Sequence, residues 1–186
     1  MKPIILTVCA WICLSATQAI GADNLVENPD LACDTNGWKT VSHKSGERDK
    51  HADFITYVAD QGANGTKGCL KMTTQIEEGI SFPSASGVYT NISKVLGSAE
   101  SPAHLKVTFY AKAADQSTGY LHVGRLWGGG KKCIFPLSSE WEKFEAEISS
   151  PYDTDAILFC PSDKSGKEAI NGEVLLDEVV VEDLGQ

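Results

Sequence analysis

The sequence is short of basic residues: 16 Lys and Arg stand against 25 Asp and Glu, giving a net charge of −9 and a pI near 4.9. That balance excludes a protein whose task is to neutralise nucleic-acid phosphates or an anionic lipid surface. Long apolar runs are also missing beyond the first 22 residues, and the one stretch there, residues 4–16, is shorter than the roughly 20 residues that span a bilayer. Membrane insertion is not expected. The four cysteines beyond the first 22 residues follow one another at 27 to 64 positions, without the close CxxC-type spacing of a zinc site. No segment of ten or more residues repeats apolar positions at the helical period, so helix content should be near zero. The GxSxG, HExxH and GxxxxGK[ST] motifs are absent as well, and no nucleophile–base pair is nominated.

What is present begins with an export signal. Lys2 supplies a positive n-region, IILTVCAWICLSA an apolar core and TQAIGA a small-residue exit, so residues 1–22 read as a signal peptide and 23–186 as a single domain. With 42% hydrophobic residues the chain can build a core. Four cysteines remain after the signal, Cys33, Cys69, Cys133 and Cys160, and an even count in an exported chain points to two disulfides. Of the three connectivities, Cys33–Cys69 with Cys133–Cys160 is favoured because each joins predicted strand ends. Period-two apolar alternation recurs at 52–59, 68–76, 87–92, 104–113, 119–127, 132–137, 141–148, 155–160 and 173–183, separated by Gly, Pro, Asn, Asp and Ser. The expected fold is all-β, an antiparallel sandwich or jelly roll.

Aromatic side chains are the best functional candidates. A sugar ring offers an apolar C–H face and a rim of hydroxyls, which suits an exposed Trp or Tyr beside polar partners. Trp127 precedes Gly128-Gly129-Gly130, where few bulky neighbours can bury it. On the same strand Tyr120 and His122 alternate with Leu121 and Val123 and should point outward, sharing a face with Tyr110 of a neighbouring strand. Arg125 falls in the apolar phase, so a bulge turns it outward or it reaches the sandwich edge. Trp141 and Trp38 are expected to be packing anchors. Glu77 and Glu78, if on a strand, point to opposite faces and do not converge on a substrate. In EVLLDEVVVED, alternation sets Asp177 with Leu175, Val179 and Val181, and Glu178 with Leu176 and Val180. One carboxylate therefore meets an apolar layer and needs a base, several N–H donors or a cation.

Taken in order, NLVENPDLACDTNGW, GTKGCLKMTT, GVYTNISKVL, HLKVTFYAKAA, WEKFEAEISS, DTDAILFC and VLLDEVVVED resemble the strands of carbohydrate-binding modules of the 4/9/16/22 group, the CenC-like modules. The resemblance implies a galactose-binding-like jelly roll holding glycan in a cleft on the concave sheet or at rim loops. A structural calcium often accompanies it. Asp177 matches the family's calcium aspartate. The family's N-terminal glutamate is missing from Asn28-Pro29-Asp30-Leu31-Ala32, and Asp30, or Asp34, would have to replace it. Four cysteines are not a general family feature. The resemblance assigns no ligand residues, so Trp127, Tyr110, His122, Arg125 and Tyr89 rest on alternation and exposure. The resulting expectation is a secreted, monomeric, non-catalytic polysaccharide binder. The alternatives are an extracellular adhesion protein that binds a protein or envelope partner, and a small jelly-roll hydrolase or lyase.

Overall fold

The computed structural model describes residues 23–29, 31, 34–42, 55–74, 86–116, 118–128, 131 and 133–185. The signal segment, Asp30, Cys33 and Glu77–Glu78 lie outside the described residues. Ten strands run β1 Trp38–Ser42, β2 Ile55–Ala59, β3 Gly68–Thr74, β4 Ser86–Val95, β5 Ala103–Ala113, β6 Tyr120–Arg125, β7 Cys133–Pro136, β8 Glu142–Ser150, β9 Thr154–Ser162 and β10 Gly172–Asp183. They form two five-stranded sheets, the first ordered β1-β4-β9-β6-β7 and the second β2-β3-β10-β5-β8. Every recorded pairing is antiparallel. All nine alternating segments became strands. The tenth, β1, starts at Trp38, directly after a turn at Asn36–Gly37; Trp38 is buried and its ring lies 5.7 Å from that of Phe159, a packing anchor as expected.

The interior follows from alternation. Leu105, Val107, Phe109 and Ala111 of β5 face Ile157 and Phe159 of β9, Leu121 and Val123 of β6, and Leu70 and Met72 of β3. Phe109 is the hub: its ring meets Phe135 and Phe159 edge-on at 5.5 and 5.4 Å and Phe144 at 5.5 Å. Such pairs contribute about 0.5–1.5 kcal/mol each beyond area burial.

Two expectations need correction. A register shift between Asp177 and Val180, with Glu178 at φ 47°, changes the phase of β10 midway. Val174, Leu176, Val179 and Val181 therefore form the inward row, and Asp177 does not share a face with Val179 and Val181. The Cys133–Cys160 disulfide does not form: both thiols are free and buried. Cys133 sits opposite Val123 and Cys160 opposite His122, on either side of β6. Two inter-strand spacings, about 9.6 Å, exceed the roughly 7 Å a disulfide can bridge. Their side chains also join different clusters, Cys133 in the interior and Cys160 outside the first sheet. Cys69 is a free buried thiol too. Burial raises all three thiols, Cys69 to about 11 with help from the Asp177 charge, which leaves them inert.

Candidate functional site

The residues expected to share one aromatic face are dispersed. Tyr110 lies on β5 in the second sheet, pairing Lys143 on β8 and Asp177 on β10, whereas His122 and Tyr120 lie on β6 in the first. Opposite sides of a sandwich cannot bind one sugar. Tyr110 faces out over a groove of about 390 Å³ with Thr108, Val180, Lys143 and Glu178. Trp141 packs under Lys112, whose ammonium lies 5.0 Å from the ring centroid, as a structural aromatic should.

Outside the first sheet is a second apolar cluster of Val41, Tyr89, Leu126, Ala156, Leu158, Cys160 and Ala169. His122 does alternate with Leu121 and Val123, but it is only 5% exposed, and Tyr89 is 6%. Part of the cover is the chain after β9. Ala169 bridges back to Ser162, Ile170 N–H donates to Pro161 O, and Gly166 presses on Ile134 and His122. A Cβ on Gly166 would lie 2.2 Å from Ile134 Cδ1, and its φ of +62° is left-handed, so only glycine fits. The Asp163 carboxylate organises this loop. It accepts from the Ser165 hydroxyl and from the amides of Ser165, Lys167 and Glu168, which holds its carboxyl down at about 2.

The exposed apolar groups lie elsewhere. Among the described residues the exposed large hydrophobics are Leu96, Trp127, Tyr152 and Leu184. The strand register places all four at one end of the sandwich. Leu96 follows β4, Trp127 follows β6, Tyr152 sits in the turn from β8 to β9, and Leu184 follows β10, where Asp183 pairs Leu105 at the start of β5. Trp127 is 45% exposed and Tyr152 57%. β6 ends at Arg125, so the Trp127 ring lies beyond the ladder, as its glycine-rich flank suggested.

Arg125 joins the two aromatic turns. Its Nη1 donates to Leu126 O at 3.2 Å and Gly128 O at 2.8 Å, bracketing Trp127, and its Nε donates to Asp153 O at 3.1 Å. The guanidinium lies 5.5 Å from the Tyr152 ring centroid. No bulge is needed: β6 pairs β9 in unbroken register, and Arg125 reaches the strand end. Trp127 has a φ of 65°, a left-handed conformation unusual for an aromatic residue and costing on the order of 1–2 kcal/mol, which the Arg125 bonds offset. Behind Tyr152, Asp153 is tied to Lys94 Nζ at 2.6 Å and to Gly97 N–H at 3.1 Å. Lys94 first, and then the Gly97 amide, hold the Asp153 carboxyl below its ordinary range. Two exposed rings thus stand on turns fixed to each other and to the β4–β5 connection. Tyr152 was missed in the sequence because it lies in a turn between two strands, where alternation assigns no face.

Asp177 is fully buried and forms no salt bridge among the described residues. It takes the N–H option: Ala63 N–H donates to Oδ2 and Glu178 N–H to Oδ1, both at 2.8 Å, and the Thr66 hydroxyl donates to Oδ2. Asp34, the other candidate calcium ligand among the described residues, accepts from Asn28 Nδ2, Asn36 N–H and Asn36 Nδ2. No cluster of three or more His, Cys, Asp or Glu side chains that could hold a metal occurs among the described residues.

These features define an antiparallel two-sheet β-jelly roll with an aromatic end. Its fold matches the N-terminal CBM22-1–CBM22-2 tandem of Paenibacillus barcinonensis Xyn10C at a TM-score of 0.51 and 16% identity, over 92% of this chain and 49% of that one. Also similar are the CBM22-1–GH10 modules of Clostridium thermocellum xylanase 10B in complex with xylohexaose (TM-score 0.49, 13% identity, 84% of this chain and 28% of that one). A third is TmCBM61 in complex with β-1,4-galactotriose (0.48, 12%, 87% and 99%). The chain thus spans about half, or less, of the first two. No protein-family model and no curated protein matches the sequence.

Proposed function

We propose that the chain is an exported, non-catalytic carbohydrate-binding protein that holds a glycan at the end of its sandwich, on Trp127 and Tyr152. One observation carries this reading: every exposed large hydrophobic among the described residues falls at that end, and Arg125 ties the turn of Trp127 to that of Tyr152. Exposed apolar groups gathered at one place mark an interaction surface. Rigid rings suit a sugar because both partners are already ordered and little conformational entropy is lost on stacking. Arg125 acts here as a positioning residue, since three of its hydrogen bonds are spent on backbone carbonyls. The CBM22 tandem of Xyn10C, which shares the fold, lends the reading support by analogy. Export rests on the apolar run and small-residue exit of residues 1–22. No helix of the described residues is long and apolar enough to cross a membrane.

The test is affinity electrophoresis of the purified chain in gels carrying xylan, β-glucan, mannan or galactan. Retardation in at least one gel, with no release of reducing ends, is expected. Migration unchanged in all of them would reject glycan binding, and released reducing ends would reject a non-catalytic role.

A further inference from the structure

The resemblance implies calcium at Asp177, and the atoms around Asp177 do not fit it. Calcium takes six to eight oxygens at about 2.3–2.6 Å. Here three hydrogens already point at the carboxylate, from Ala63 N, Glu178 N and Thr66 Oγ1. Of the three oxygens within reach of the Thr66 hydroxyl, Ala63 O at 2.9 Å, Gly68 O at 3.5 Å and Asp177 Oδ2, the carboxylate is the charged one and the stronger acceptor for its single proton. The carbonyl next to that hydroxyl, Ala63 O, already accepts the Thr66 N–H at 2.8 Å. Three of the roughly four lone-pair sites of the carboxylate thus accept donors whose partial positive charge would oppose a cation. A carboxylate accepting two amides and a hydroxyl is a satisfied buried anion without a counter-ion.

We infer that Asp177 is a cation-free latch, with the Thr66 hydroxyl and two backbone amides doing the work assigned to calcium in the resembling family. The latch clamps the turn Ala63–Gly65 onto the β10 bulge. Neighbouring bonds finish the junction: Asn64 Nδ2 donates to Glu178 Oε2 at 3.0 Å, Val179 N–H to Pro29 O at 2.8 Å, and Asn24 Nδ2 to Val179 O at 3.2 Å. The turn meets the last strand at the Asp177 carboxylate, and the N-terminal segment joins two residues on, at Val179 of the bulge. Closure requires Gly62, where a Cβ would sit 1.9 Å from Thr66 Oγ1.

The experiment is calorimetric melting of the purified chain in EDTA and in millimolar calcium, with Thr66→Val and Thr66→Ser alongside and a calcium titration of the unaltered chain. Equal melting temperatures in both buffers and no saturable calcium heat are expected. Thr66→Val, which leaves a buried charge short of a donor, should melt lower by about 5 °C or more, or fail to fold. Thr66→Ser keeps the hydroxyl and should melt within about 2 °C of the unaltered chain. A melting temperature lowered by EDTA and restored by calcium, saturable calcium binding, or an unchanged Thr66→Val would each overturn the inference. None of these readouts depends on glycan binding.

Discussion

Tyr89 and Tyr152 both lie outside the interior between the sheets, yet Tyr89 is 6% exposed and Tyr152 57%. Tyr89 belongs to the outer face of the first sheet, where Leu158 and Cys160 are also buried and Ala169 folds back over the strands. Tyr152 belongs to one end of the sandwich, where four large apolar groups face solvent. Position relative to the pleat decides which side of a sheet a residue occupies. Whether that side meets water depends on what the connections cover. A face that alternation marks as outward is here a second core, and the exposed large hydrophobics of the described residues stand at the strand ends.

The sharpest way to break that comparison is at Leu158. If the outer face is sealed, Leu158→Ala should destabilise the chain by about 2–4 kcal/mol in chemical denaturation, as a core truncation does. A loss below about 0.5 kcal/mol, typical of a surface site, would show the face to be open. Next comes Arg125→Ala, which should weaken glycan binding by about tenfold, equal to roughly 1.4 kcal/mol, by releasing Trp127 and Tyr152 from a common frame. Arg125→Lys should not rescue it, because a point charge cannot bracket Leu126 O and Gly128 O while reaching Asp153 O. Full affinity in Arg125→Ala would leave the two rings without a shared support.

A pH titration sharpens the comparison from the other side. Asp163, held down at about 2, stabilises the covering loop above the ordinary carboxylate range and loses that contribution as pH falls toward about 2. Amide exchange at Ser165, Lys167 and Glu168, corrected for intrinsic rates, should therefore lose protection between about pH 4 and pH 2. Protection that stays constant across that window would remove Asp163 as the organiser of the cover. The smallest effect is expected from Tyr110→Ala on the second sheet, which should leave glycan affinity within about twofold. A larger loss would place the site on the sheet face instead.

The strand content was legible because period-two alternation is a local property: Leu105 to Ala111 of β5 and Phe144 to Ile148 of β8 read directly as half-buried strands. Trp127 was legible for a related reason, since the residues beside it offer little to bury a ring. What failed depends on long-range placement. The β10 bulge breaks alternation at Asp177 through bonds to Ala63 and Thr66, more than a hundred positions away in sequence. The Cys133–Cys160 pairing required knowing that β6 lies between β7 and β9. His122 was assigned the right side of β6 but not its cover, and Tyr110 the right side of β5 but in a different sheet from His122.

The central claim is that binding resides at the sandwich end, and titration calorimetry with a glycan retained in the gels tests it most directly. Trp127→Ala combined with Tyr152→Ala should abolish measurable binding while the melting temperature stays within about 3 °C. Undiminished affinity in that double variant would contradict the account.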